Sequence, residues 1–168
     1  LVNAFVQVVL FTLIPLIWWL VTARSRTGLL VWVGLKKPKV KNITSFWTVF
    51  AAGLVLIHIV SLLITPQFVD GSVIAASQFA GQGWKAVIPA FIYAFVQTGL
   101  SEEIFFRGFL GKRLMDQLGF RMGNLVQGLV FGLVHGVMFF SVTDAVCLFL
   151  IVLLTGWEGW LMGLLHER

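Results

Sequence analysis

The chain has 168 residues, 59% of them hydrophobic and only 11% charged, with a formal net charge of +5. Its apolar runs are far longer than soluble helices need, which excludes a soluble enzyme or a disordered tail and indicates several bilayer crossings. Only helices and closed barrels satisfy their backbone in lipid, and the period-two alternation of barrel strands is missing. An all-α, polytopic transmembrane helical bundle is therefore expected. The single cysteine, Cys147, lies in an apolar run and reads as a packing residue that permits no internal disulfide. Much of the positive charge falls between Arg24 and Lys41, a pattern of membrane topology and anionic-lipid contact and not of nucleic-acid binding.

About six helices are expected from spans of roughly 20 residues. The first runs from Leu1 to near Ala23 and meets Arg24, Arg26, Lys36, Lys37, Lys39 and Lys41 with no acidic residue, so this loop is assigned to the cytoplasm. Thr44 or Ser45 caps a second span from Phe46 to near Thr65, which exits at Pro66 toward Asp70. Asn42-Ile43-Thr44 matches a glycosylation acceptor, but on the cytoplasmic side it reads as a helix entry, and His58 reads as a packing residue. The third span, from Trp84 to Leu110, ends at Lys112, Arg113 and Arg121. Residues 111–123 suit an interfacial turn, and a fourth helix runs from Asn124 to Phe140. Ser141-x-x-Asp144 and Thr155-x-x-Glu158 fit the capping pattern and predict a short fifth helix and a sixth starting near Gly156. The chain starts at Leu1 and stops in an apolar segment at Arg168, so residues 1–168 are read as one membrane-embedded domain cut at both ends.

Charge inside a span is expensive, roughly 2.5 to 3.5 kcal/mol per residue on insertion scales, which makes Ser101-Glu102-Glu103-Ile104-Phe105-Phe106-Arg107 the most informative run. Glu103 and Arg107 stand at i and i+4 in the favourable order and are expected to pair. Glu102 is rotated about 100° away, with Thr98 and Phe106 at its own i−4 and i+4 positions. It has no cation nearby on its own helix and is expected to be a desolvated carboxylate without a partner, which suits a general base working near neutrality. On the fourth helix Phe131 lies at i−4 from His135 and orients its ring, while Gly128, Gly132 and Gly136 form a stripe that lets a neighbouring helix come close. Counted from the helix starts, Glu102, His135 and His166 lie about 14, 17 and 15 Å from the cytoplasmic surface, which predicts one common layer.

Glu-Glu-x-x-x-Arg at 102–107, Phe-x-x-x-His at 131–135 and the late intramembrane His166 resemble the three motifs of the CPBP family, which includes the type II CAAX prenyl endopeptidases and the bacterial Abi proteins. The resemblance covers a core from about residue 84 to residue 168. It implies that Glu102 and His135 are catalytic and activate a water, that His166 is catalytic as an oxyanion stabiliser, and that Glu103, Arg107 and Phe131 support them. The family's further polar oxyanion residue would fall at position 170, beyond Arg168. The implied activity is intramembrane hydrolysis of a peptide bond, with a membrane-associated peptide or protein as substrate and the lipid bilayer as partner. The implied setting is a multi-pass protein of the cell membrane with its site in the cytoplasmic half. No metal or cofactor is expected, although His166-Glu167 could open a zinc signature and two histidines with a carboxylate could hold zinc. A non-catalytic peptide-binding protein, such as a bacteriocin self-immunity factor, is the alternative of a different class. Proton-coupled transport through Glu102 is weakened by the absence of repeats. The compact bundle and its Lys-Lys-Pro-Lys loop lean toward bacterial members that act on peptides.

Overall fold

The computed structural model describes residues 2–35, 43–44, 46–48, 50–53, 55 and 75–167, the last few as backbone only. Most of the expected second span, with His58 and Asn42, lies outside the described residues. Among the described residues there are helices and turns and no strand, as an all-α membrane protein requires. Among the described residues the helices number about five, where about six are expected for the whole chain. Among the described residues three helical stretches are long and apolar enough to cross a membrane: Val2–Thr22, Gly83–Phe139 and Ala145–Leu164. The chain divides into two compact units, residues 1–37 with 79–113 and residues 38–78 with 114–168.

In the first unit, α1 (Val2–Thr22) is apolar all round and leaves Phe5, Leu10, Ile14 and Ile17 exposed. That is the surface of a helix solvated by lipid. Beyond it the Trp19 indole donates to the Thr27 carbonyl at 2.7 Å and closes a turn into the short α2 (Leu29–Trp32). Trp32 and Val33 are buried with Ile104, and Trp19, Leu29, Leu100 and Phe109 pack around them. This tuck was not expected, because residues 24–41 read as a basic loop. Its signal is the apolar run Leu29-Leu30-Val31-Trp32-Val33 between the charges. Gly108 permits it, since a Cβ there would collide with the Val33 carbonyl oxygen.

The helix facing α1 begins with a 3₁₀ turn (Gly83–Ala86) and α3 (Val87–Phe91). It continues as two wide π-helical stretches, Ile92–Leu100 and Glu103–Gly111, on either side of Ser101 and Glu102. α4 (Lys112–Phe139) follows, broken only at Gly119. Gly119 has φ 74° and ψ 161°, a backbone open to glycine and hostile to other residues. The expected interfacial turn over 111–123 thus shrinks to one residue, and the chain on both sides of it stays helical.

In the second unit, α4 folds back at Gly119 and then runs beside α5 (Ala145–Glu167). The start of α5 is fixed by Asp144, whose Oδ1 accepts from the backbone N–H of Val146 at 2.8 Å and of Cys147 at 2.9 Å. The expected break between a fifth and a sixth helix does not occur. Thr155 donates its hydroxyl to the Ile151 carbonyl at 2.6 Å and caps nothing, so residues 142–155 and 156–168 do not form separate helices. Cys147 is buried, as a packing residue should be.

Candidate active site

Glu102 sits between the two π-helical stretches in the first unit. Widened turns of this kind are rare and concentrate at functional sites. The backbone around it is tied to α1 by a polar chain. The Gln97 amide donates to Gln7 Oε1 at 3.2 Å, the Gln7 amide donates to the Ser101 hydroxyl oxygen at 3.3 Å, and Ser101 donates to the carbonyls of Gln97 and Thr98. Ser101 is fully buried, so in lipid each of these bonds replaces one that water cannot supply. Sequence reasoning missed this chain. Its signal was Gln7 within a mostly apolar span, with Gln97 and Ser101 four residues apart on one face.

Glu103 and Arg107 pair as their spacing predicts, Nε to Oε1 at 3.4 Å. Arg107 is 4% exposed and the Glu103 side chain 45%, so the guanidinium carries the burial and the carboxylate reaches toward the surface. Glu102 is partly buried and is itself engaged in an interaction, so it is not the carboxylate without a partner that the spacing predicted. One face of this helix is an aromatic wall. Phe11 of α1 meets Phe105 at 5.6 Å and Phe106 at 6.4 Å, and Trp18 meets Phe109 at 5.8 Å. Below it the Arg113 guanidinium stacks 3.5 Å from the Trp32 ring, and Lys112 donates to the Trp32 carbonyl at 3.2 Å.

In the second unit, His135 Nδ1 lies 2.9 Å from the Phe131 carbonyl oxygen, and the two rings stand 4.4 Å apart. A carbonyl only accepts, so Nδ1 is the donor, and in the neutral ring Nε2 then presents its lone pair. Phe131 is buried where a Cβ on Gly159 would meet its ring at 3.0 Å, and this holds the histidine's partner still. The glycine stripe does what its spacing predicts. A Cβ on Gly128 would meet the Gly156 carbonyl oxygen at 2.8 Å, and one on Gly132 would collide with the Val152 carbonyl oxygen. Asn124 adds a bond from Nδ2 to the Trp160 carbonyl at 2.9 Å.

These contacts set α4 and α5 antiparallel, with Asn124 beside Gly163, Gly128 beside Gly156 and Gly136 beside Val152. His166 therefore falls past Gly163, near the start of the helix that follows Gly119, while His135 lies near the level of Val152. At the helical rise their backbones are about 20 Å apart along the pair. The common layer inferred for these two histidines depended on a helix break at Thr155-Gly156, and that break is absent.

The family model for type II CAAX prenyl endopeptidase, Rce1-like, matches residues 84–168, the part that carries Glu102, Glu103, Arg107, Phe131 and His135. The chain belongs to this family. No match was found among curated proteins or among solved structures. Membership agrees with the resemblance of the motifs, and it sets this membrane protein among the CAAX-type proteases, which are peptide hydrolases. A lipid bilayer and a peptide substrate are the partners that follow from that class.

Proposed function

We propose that this chain cleaves a peptide bond of a membrane-associated protein or peptide by direct attack of an activated water. Glu102 takes a proton from the water as hydroxide adds to the scissile carbonyl carbon, and the carbonyl π electrons move onto oxygen. The tetrahedral intermediate then collapses, the C–N bond breaks, and the leaving amine takes the proton back from Glu102. His135, as the neutral ring, holds the water through Nε2, the nitrogen left free when Nδ1 donates to the Phe131 carbonyl. The observation that carries the reading is the Glu-Glu-x-x-x-Arg segment within the matched region, with its second carboxylate committed to Arg107. His166 is not given the oxyanion role, because its backbone lies about 20 Å along the helix pair from His135. The chain acts as one membrane-embedded domain, with the site in the cytoplasmic half, and the family's description supports a substrate that ends in a CAAX sequence.

Full chain in detergent, incubated with a farnesylated peptide ending in a CAAX sequence, tests this directly. Glu102→Gln should reduce turnover by about 10² to 10⁴ while leaving thermal stability near that of the parent. Retention of more than about a tenth of turnover removes Glu102 from the chemistry. Tight binding of the peptide by the parent without cleavage would favour the non-catalytic peptide-binding reading.

A further inference from the structure

Between α4 and α5, wholly within the second unit, runs a groove of about 800 Å³. Its walls include Leu125, Leu129, Phe149, Leu153 and Trp157, all exposed, and its one charged lining residue is Arg121. From Leu164 to Phe149 the groove follows α5 for about 20 Å, enough for a chain that spans one leaflet of about 15 Å. Arg121 stands at one end, in the first turn after the Gly119 break, where the positive end of the new helix adds to its charge. Among the described residues Arg121 makes no ion pair.

We propose that this groove holds one anionic phospholipid, with an acyl chain along the α4–α5 walls and the phosphodiester against Arg121. Apolar walls alone accept any lipid tail. The cation at the end makes the site selective, because a net negative headgroup gains the attraction that a zwitterion's own ammonium offsets. A basic residue in such a position is worth about a fivefold preference. Neither Glu102 nor His135 lines the groove.

The test uses Trp157, which lines the groove, as the reporter. Full chain in detergent is titrated with phosphatidylglycerol brominated in its acyl chains, and separately with phosphatidylcholine brominated in the same way. Quenching lost in Trp157→Phe is assigned to the groove. The expected result is half-quenching at about fivefold lower concentration for the anionic lipid. Arg121→Gln should make the two lipids equal, and Leu153→Phe, which narrows the groove, should weaken both. Equal quenching by both lipids in the parent, or a preference that survives Arg121→Gln, overturns the proposal. Relief of quenching by the farnesylated peptide at concentrations matching its KM also overturns it, since the groove would then belong to the substrate. The quenching readout requires no turnover, so a protein that fails to cleave still tests the lipid site.

Discussion

The carbonyl of Phe131 accepts the Nδ1 proton of His135 at 2.9 Å, and this bond between residues one helical turn apart fixes which nitrogen of the imidazole is available. The same turn packs the two rings at 4.4 Å, while Gly159 on α5 keeps Phe131 from moving. Orientation of the histidine is thus set by its own helix and secured by the next one.

His135→Ala should lower turnover by about 10² to 10⁴, and His166→Ala by less than about threefold, because only His135 is given a place at the reacting water. Steady-state kinetics of the two variants with the same peptide decide it. A loss at His166 comparable to that at His135 would show that the two histidines share a site, and the antiparallel level argument would fail.

Glu103→Gln should destabilise the protein more than Arg107→Leu. The first change takes the Glu103 charge away from a 4%-exposed guanidinium that cannot give up its own, whereas the carboxylate left by the second is 45% exposed. The double variant should recover part of the loss. Thermal unfolding in detergent across the four proteins measures this, and strictly additive losses would mean that the pair contributes nothing as a pair.

Gly132→Ala should cost about 1 to 3 kcal/mol of stability, because the new methyl meets the Val152 carbonyl and the α4–α5 backbones must part. Gly119→Ala should also destabilise, for a different reason. Its space is open, but its φ of 74° is one that alanine resists. Unfolding curves that match the parent for Gly132→Ala would show the helix pair to be looser than its contacts indicate.

Activity should survive strong chelators, and metal analysis of purified full chain should find no stoichiometric zinc, since Glu102 and His135 are proposed to act on water directly. Loss of activity on chelation, with recovery on adding zinc, would transfer these residues to a metal-assisted mechanism.

What the sequence by itself determined is whatever lies within a turn or two of one helix or in bulk composition. The all-α membrane class follows from the length of the apolar runs, the Glu103–Arg107 pair and the Phe131–His135 contact from spacing of four, and the close helix approach from Gly128, Gly132 and Gly136. Each depends on helix periodicity alone, so local chemistry specifies it. The tertiary structure decided where helices stop and which levels face each other. Thr155-x-x-Glu158 has the form of a cap, but Gly156, Gly159 and Gly163 all face α4, and burying that face keeps the helix continuous through the threonine. Likewise the seat of Val33 on Gly108 arises from packing between distant segments. A cap is a local preference of about 1 kcal/mol, and closing a helix–helix interface outweighs it. That is why the single α5, and with it the separation of His135 from His166, was not legible in the residues alone.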